Sequence, residues 1–255
     1  MGKKVTFFIG LAIAFASGVK AAAGDDAAAH NSSEMNARLG VASDSGGGDV
    51  RVLFIGNSIT LHAPAPKIGW TNYWGMAASA AEKDYVHLVT RSLEARLGKK
   101  AHVRVVNLAD FERGYRAFNF ARLDDYVRFS PQYLIVALGE NVGGFKDRGE
   151  EIAYRERFKQ LLSLFMDGKE KPRAVVRGVF WPNERKDALM QEAARELGIP
   201  FAKAASQGKD EFMAKGLFSH TGVAAHPGDK GMQMIANAIL GYLLEPSIAP
   251  SPPSP

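Results

Sequence analysis

Apolar and polar positions change period along the chain, and these changes divide it into alternating strands and helices. Residues 52–55 (Val-Leu-Phe-Ile) form an unbroken apolar run that stops in Gly56-Asn57-Ser58, which predicts a buried strand ending in a turn. Residues 61–69 carry Pro64 and Pro66, so they predict a loop lying over the end of that strand. Residues 70–81, rich in alanine, and residues 85–97, with Val86, Val89, Leu93 and Leu97 at helical spacing, predict two helices, the second ended by Gly98. Beyond them the pattern predicts strands over 103–108, 133–138, 174–180 and 200–202. It predicts helices over 115–129, 150–166, 186–197 and 229–244, the first of these stopped by Ser130-Pro131. Strands alternating with helices imply βαβ units. The expected fold class is α/β, a flavodoxin-like three-layer α/β/α sandwich around a mainly parallel five-stranded sheet.

The two ends read differently. Lys3 and Lys4, an apolar run over 5–16 and Ala21-Ala22-Ala23 form the charged, apolar and small-residue pattern of a signal peptide over 1–23. The apolar run is short of the roughly 20 residues that a spanning helix needs. Residues 24–49, rich in Ala, Ser, Gly and Asp, read as a flexible linker, and the Pro- and Ser-rich residues 246–255 as a disordered tail. One domain over 50–245 remains, and the expected location is exported, periplasmic or extracellular. The formal charge of +5 falls by three to +2 once Lys3, Lys4 and Lys20 are removed, a weak argument for nucleic acid as a partner. With no cysteine in the chain, thiolate chemistry, disulfides and lipid-modified cysteine are excluded.

The expected sheet places chemistry at its carboxyl edge. If the strand order is 2-1-3-4-5, the first and third strands flank a switch-point crevice, where ligands collect in open α/β sheets. Ser58 just past the first strand and Asn141, in Gly139-Glu140-Asn141 past the third, would then face one another. His226, followed by Pro227, lies on the same side immediately before the last helix. Taken singly each has an ordinary alternative, since a serine after a strand is often a helix cap and a loop histidine is often a solvated polar residue.

Together these segments resemble the SGNH, or GDSL-like, serine hydrolases. The resemblance is carried by Gly56-Asn57-Ser58-Ile59-Thr60, Gly114, Gly139-Glu140-Asn141 and His226-Pro227 with Gly231-Met232, in that order along the domain. It implies the same α/β/α sandwich, with Ser58 as nucleophile and His226 as its base. It also implies an oxyanion hole made by Ser58 N–H, the Gly114 N–H and the Asn141 side chain, with Glu112 or Arg113 as alternative sources of the second N–H. Thr60, two places after Ser58, departs from the glycine-flanked nucleophile elbow of α/β-hydrolases.

The chain departs from the family where an aspartate usually stands three residues before the histidine, because that position is Val223. A backbone carbonyl could orient the histidine, or a carboxylate from another loop, with Glu184 the best-placed substitute acid, or catalysis could have been lost. Trp70, Trp74 and Trp181 suggest an aromatic substrate rim for sugar rings, with core packing as the alternative reading. His62, His102 and His220 have no metal-site spacing with His226, so neither metal nor other cofactor is expected. The expected function is an exported esterase removing acetyl or other short acyl groups, with an acylated carbohydrate or other small ester as partner and no nucleic acid or membrane. The alternatives are a non-catalytic carbohydrate-binding protein, an acyltransferase on the same scaffold, and a phosphate or flavin binder using residues 56–60 as an anion loop.

Overall fold

The computed structural model describes residues 50–244, so the expected signal peptide, linker and tail lie outside the described residues, as does the last position of the expected domain. Five strands, β1 (Val50–Gly56), β2 (Ala101–Asn107), β3 (Tyr133–Ala137), β4 (Arg173–Arg177) and β5 (Phe201–Ala202), form a sheet in the order β2-β1-β3-β4-β5. All neighbouring pairs run parallel. The expected α/β sandwich is therefore present, with the crossovers made by helices.

Among the described residues there are seven α-helices, in chain order α1 (Tyr85–Leu97), α2 (Ala109–Gly114), α3 (Asp124–Arg128), α4 (Arg148–Met166), α5 (Glu184–Glu196), α6 (Thr221–Ala224) and α7 (Asp229–Leu243). Side-chain caps fix the starts of α1, α4 and α5. Asp84 accepts from His87 N at 2.9 Å, Asp147 from Glu150 N at 2.9 Å, and Asn183 from Lys186 N at 3.1 Å. Gly98 adopts φ 64° and ends α1, a conformation that costs glycine nothing.

Period-2 alternation along β1 divides the core between two faces. Val52 and Phe54 pack with Val86 and Val89 of α1 and Ile235 and Ile239 of α7. Leu53 and Ile55 point the other way, into the layer of Phe158, Leu161 and Leu162 from α4 and Met190 from α5. Burying each such side chain contributes about 1.5–3 kcal/mol, which is why both faces of the central strand are covered.

Residues 70–81 correct the helix expected there. They form an irregular segment whose N–H groups bond to distant parts of the chain: Gly75 N to Asp84 Oδ2 at 3.0 Å and Met76 N to the Ser58 carbonyl at 2.8 Å. Ala77 has φ 75°, incompatible with a right-handed helix. The expected helix over 115–129 is also broken, into 3₁₀ turns at Tyr115–Ala117 and Phe120–Leu123 and the short α3. The segment before it, to which the sequence pattern assigns no element, is helix α2.

Candidate active site

The segment after β1 turns sharply because Asn57 closes it. Its carbonyl accepts from Thr60 N and Leu61 N, each at 3.0 Å, while its side-chain oxygen accepts from Ile59 N at 3.1 Å. Thr60 folds back over Gly56, where an added Cβ would stand 1.8 Å from the threonine hydroxyl. Only glycine fits beneath that turn. Ser58 is left partly exposed at its crest, and the Met76 N–H on its carbonyl ties the turn to the 70–81 segment.

The nucleophile candidate meets His226. Ser58 Oγ lies 2.8 Å from His226 Nε2, and His226 Nδ1 lies 2.7 Å from the Gly222 carbonyl oxygen. A carbonyl can only accept, so Nδ1 carries the ring hydrogen. Nε2 is then bare and accepts from the serine hydroxyl. The imidazole is held further by Trp181, whose ring stands edge-on at 5.4 Å and 88° and whose Nε1 donates to the Ala225 carbonyl at 3.2 Å. Backbone bonds at 2.9 Å from Ala214 N to His226 O and 3.0 Å from Gly228 N to Phe212 O fix the loop. Burial lowers the His226 pKa to about 4, with the Gly222 carbonyl opposing that shift and His62 adding to it. The ring is therefore neutral, the form a base requires, at pH values well below those usual for histidine.

A polar network lies beneath the serine turn. Asn57 Nδ2 donates both to Glu112 Oε1 at 3.1 Å and to Glu140 Oε2 at 2.7 Å. Arg177, fully buried at the end of β4, pairs with Glu140, which also accepts from Phe180 N at 2.9 Å. Burial alone would raise the Glu140 carboxyl, but the Arg177 guanidinium outweighs it and holds the pKa below its ordinary value. Glu112 makes no direct ion pair among the described residues. Burial, reinforced by the charge of Glu140, pushes its pKa up to about 7.

The site residues expected from sequence fall into two groups. Ser58 and His226 are in hydrogen-bond contact, and Asn141 meets the same network through Glu112. Gly114 lies exposed at the far end of α2, and the helix reaches Asn141 instead through the side chains of Glu112 and Arg113. Glu184 is exposed in the first turn of α5, while the Gly222 carbonyl occupies the His226 nitrogen that a substitute acid would need. Trp70 is fully buried with Val223, Met76, Ala77 and Ala214, so it is core and not rim. Trp74 packs edge-on to it at 5.9 Å and spends its Nε1 on the Ala78 carbonyl at 2.9 Å. Only Trp181 touches the histidine. Asp229 does not cap α7, since Gly228 holds that position; its carboxylate accepts from Ser79 N, Ser79 Oγ and Lys83 Nζ.

Asn57, Glu112, Glu140 and Arg177 were not anticipated as a unit. The available signal was a charged residue at or just past the carboxyl end of an apolar strand, at Arg177 ending β4 and Glu140 after β3, where an unpaired charge would be costly.

Against solved structures the chain is similar to an α/β hydrolase enzyme from the metagenome of Lake Arreo, Spain, at TM-score 0.51 and 17% identity, over 76% of this chain and 94% of that one. It is similar too to an acetylxylan esterase from Geobacillus stearothermophilus, at TM-score 0.50 and 16% identity, over 80% of this chain and 99% of that one. The chain shares their fold. No protein-family model matches it, and neither does any curated protein. No helix among the described residues is long and apolar enough to cross a membrane.

Proposed function

We propose that this chain is an exported serine esterase of the SGNH-like kind, removing acetyl or other short acyl groups from carbohydrate. The observation that carries the reading is the 2.8 Å contact between Ser58 Oγ and His226 Nε2, with Nδ1 of the same ring held by the Gly222 carbonyl. In this reading the catalytic unit is a serine–histidine dyad. Ser58 Oγ attacks the ester carbonyl as its proton passes to Nε2, giving a tetrahedral oxyanion. Collapse breaks the bond to the alcohol oxygen, which takes the proton from Nε2 and leaves an acetyl-Ser58 ester. Water then adds to the acyl carbon as one of its protons passes to Nε2, and collapse returns that proton to Ser58 Oγ, releasing the free serine and acetic acid, which ionises to acetate in solvent. Ser58 N–H and Asn141 Nδ2 are the donors for the oxyanion. Among the described residues nothing accepts from that N–H, so it is free to do so. Losing such a donor costs on the order of 10²-fold or more in turnover.

The carbohydrate part of the reading draws on the fold neighbour that is an acetylxylan esterase, and on Trp181 beside the histidine. The test is hydrolysis of p-nitrophenyl acetate and of acetylated xylo-oligosaccharides by the mature protein, with Ser58→Ala and His226→Ala in parallel. Loss of turnover in both variants supports the dyad. Equal rates in wild type and both variants would overturn it.

A further inference from the structure

Glu112 is a carboxylate 1% exposed, and every donor that satisfies it comes from the segments that carry the proposed chemistry. Oε1 accepts from Asn57 Nδ2 at 3.1 Å, Gly139 N at 2.5 Å and Asn141 N at 3.3 Å. This oxygen ties the serine turn to the loop after β3. Oε2 has a different task, accepting from Asn141 Nδ2 at 2.6 Å.

The other end of the same carboxamide is also held. Arg113, next to Glu112 on α2, donates from Nη2 to Asn141 Oδ1 at 3.2 Å. A carboxamide can be turned end for end, exchanging its oxygen and nitrogen. With an acceptor-only carboxylate at one end and a donor-only guanidinium at the other, a single orientation survives. Nδ2 carries two hydrogens and Glu112 takes one. We propose that Glu112 is a positioning residue that, with Arg113, fixes the Asn141 carboxamide so that its remaining Nδ2 hydrogen is available to the oxyanion formed at Ser58. This rests on the esterase reading; Asn141 touches the reacting oxygen, and Glu112 acts through it.

The charges around Glu112 come from several elements: Glu140 from the loop after β3, Arg177 from β4, Lys186 from α5 and Arg113 from its own helix, with the Tyr154 phenol from α4. Ionised, Glu112 accepts from Nδ2. Protonated on Oε2, it would oppose one donor with another and release the amide.

The experiment measures kcat and KM for p-nitrophenyl acetate from pH 5 to 9 in wild type, Asn141→Ala, Glu112→Gln and the double variant. In Glu112→Gln the side-chain oxygen keeps the Asn57 and Gly139 bonds, and an NH2 faces Asn141. The expected result is a fall in kcat of about 10²-fold with KM unchanged, as for loss of an oxyanion donor. The double variant should be no slower than Asn141→Ala alone, because one interaction is removed twice. The wild-type rise of kcat with Glu112 ionisation should be missing in Glu112→Gln. Arg113→Ala, at an exposed position, should also lower kcat and show no further loss on top of Asn141→Ala. Losses that add in either double variant, or a Glu112→Gln enzyme with wild-type kcat, would overturn the proposal. Wild-type turnover in Ser58→Ala would instead overturn the esterase reading beneath it.

Discussion

His226 Nδ1 lies 2.7 Å from the carbonyl oxygen of Gly222, four residues earlier in the chain. A main-chain acceptor thus occupies the direction from which a side-chain acid orients the imidazole in a serine–histidine–aspartate triad. The short helix α6 makes this contact available. His220 caps it by accepting from Val223 N at 3.3 Å, and the turn brings His226 N back onto the Val223 carbonyl at 3.0 Å.

Restoring an aspartate at position 223 should therefore not restore a triad. The Val223 side chain is fully buried against Trp70, Met76, Ala77 and Ala214, on the core side of α6. Val223→Asp would place a carboxylate there with no partner. The expected loss is about 3 kcal/mol of stability, with no gain in turnover. Urea denaturation alongside p-nitrophenyl acetate kinetics checks it, and a variant both as stable and faster would show that the Gly222 carbonyl is a poor substitute.

Stability should fall with acid through His226. Its folded pKa is lowered to about 4 by burial, below the ordinary 6.5 of the unfolded chain. A depressed group contributes its stability in full above the unfolded pKa and loses it as pH falls from there through the folded value, because the unfolded chain takes up the proton first. Glu112 acts in the opposite sense. Its raised pKa adds stability below the ordinary carboxylate range, and that contribution disappears as pH rises through about 7. Comparing wild type with His226→Gln isolates the first effect. Between pH 7.5 and pH 5 the wild type should lose about 2 kcal/mol more than the variant. Parallel losses in denaturation midpoints would contradict the depressed pKa.

What could be read from the sequence follows what depends on local pattern. The run at Val52 to Ile55 marked β1, and the alternation of elements gave the sandwich, because strand and helix periods are local properties. Asn57 and its carboxylates could not be read in the same way. The partners of its Nδ2 are 55 and 83 residues away, and nothing near Glu112 or Glu140 states that they meet. Position 223 was legible as a departure from the usual acid, but a peptide carbonyl has no sequence signature, so its role at Gly222 was one option among three. The alanine-rich 70–81 segment satisfied a helical pattern because Ala77 and Ala78 are buried. Its N–H groups bond to Ser58 and Asp84, and this tertiary pairing overrides propensity.

Trp181 should control both the position and the basicity of His226. Its ring covers the imidazole edge at 5.4 Å and its Nε1 anchors the Ala225 carbonyl, one residue before the histidine. Trp181→Ala admits water to a ring whose pKa is lowered chiefly by burial, so the His226 titration should move upward toward 6.5. A looser imidazole should also lower kcat on the order of tenfold. Trp181→Phe keeps an aromatic edge without the N–H and should fall between. NMR titration of the imidazole in the three proteins decides it, and an unmoved pKa in Trp181→Ala would remove the tryptophan from this role.

Gly75 should be intolerant of even one added carbon, and its failure should be felt at Ser58. A Cβ built there stands 2.4 Å from the Ile59 carbonyl oxygen and 3.2 Å from the Asp84 Cβ. The first of these is backbone of the serine turn and cannot rotate away. Two bonds hold the segments together at this point, Gly75 N to Asp84 Oδ2 at 3.0 Å and Met76 N to Ser58 O at 2.8 Å. Relief of the clash must lengthen the second, moving the nucleophile relative to His226. Gly75→Ala is expected to cost about 2 kcal/mol or more in stability and to lower kcat as well. Gly241, exposed on α7 with open space around a built Cβ, supplies the contrast, since Gly241→Ala there should be neutral to slightly stabilising with unchanged turnover. Thermal melts and p-nitrophenyl acetate rates on the two variants test the coupling. If Gly75→Ala matched Gly241→Ala in both, the 70–81 segment would have no part in holding the serine turn.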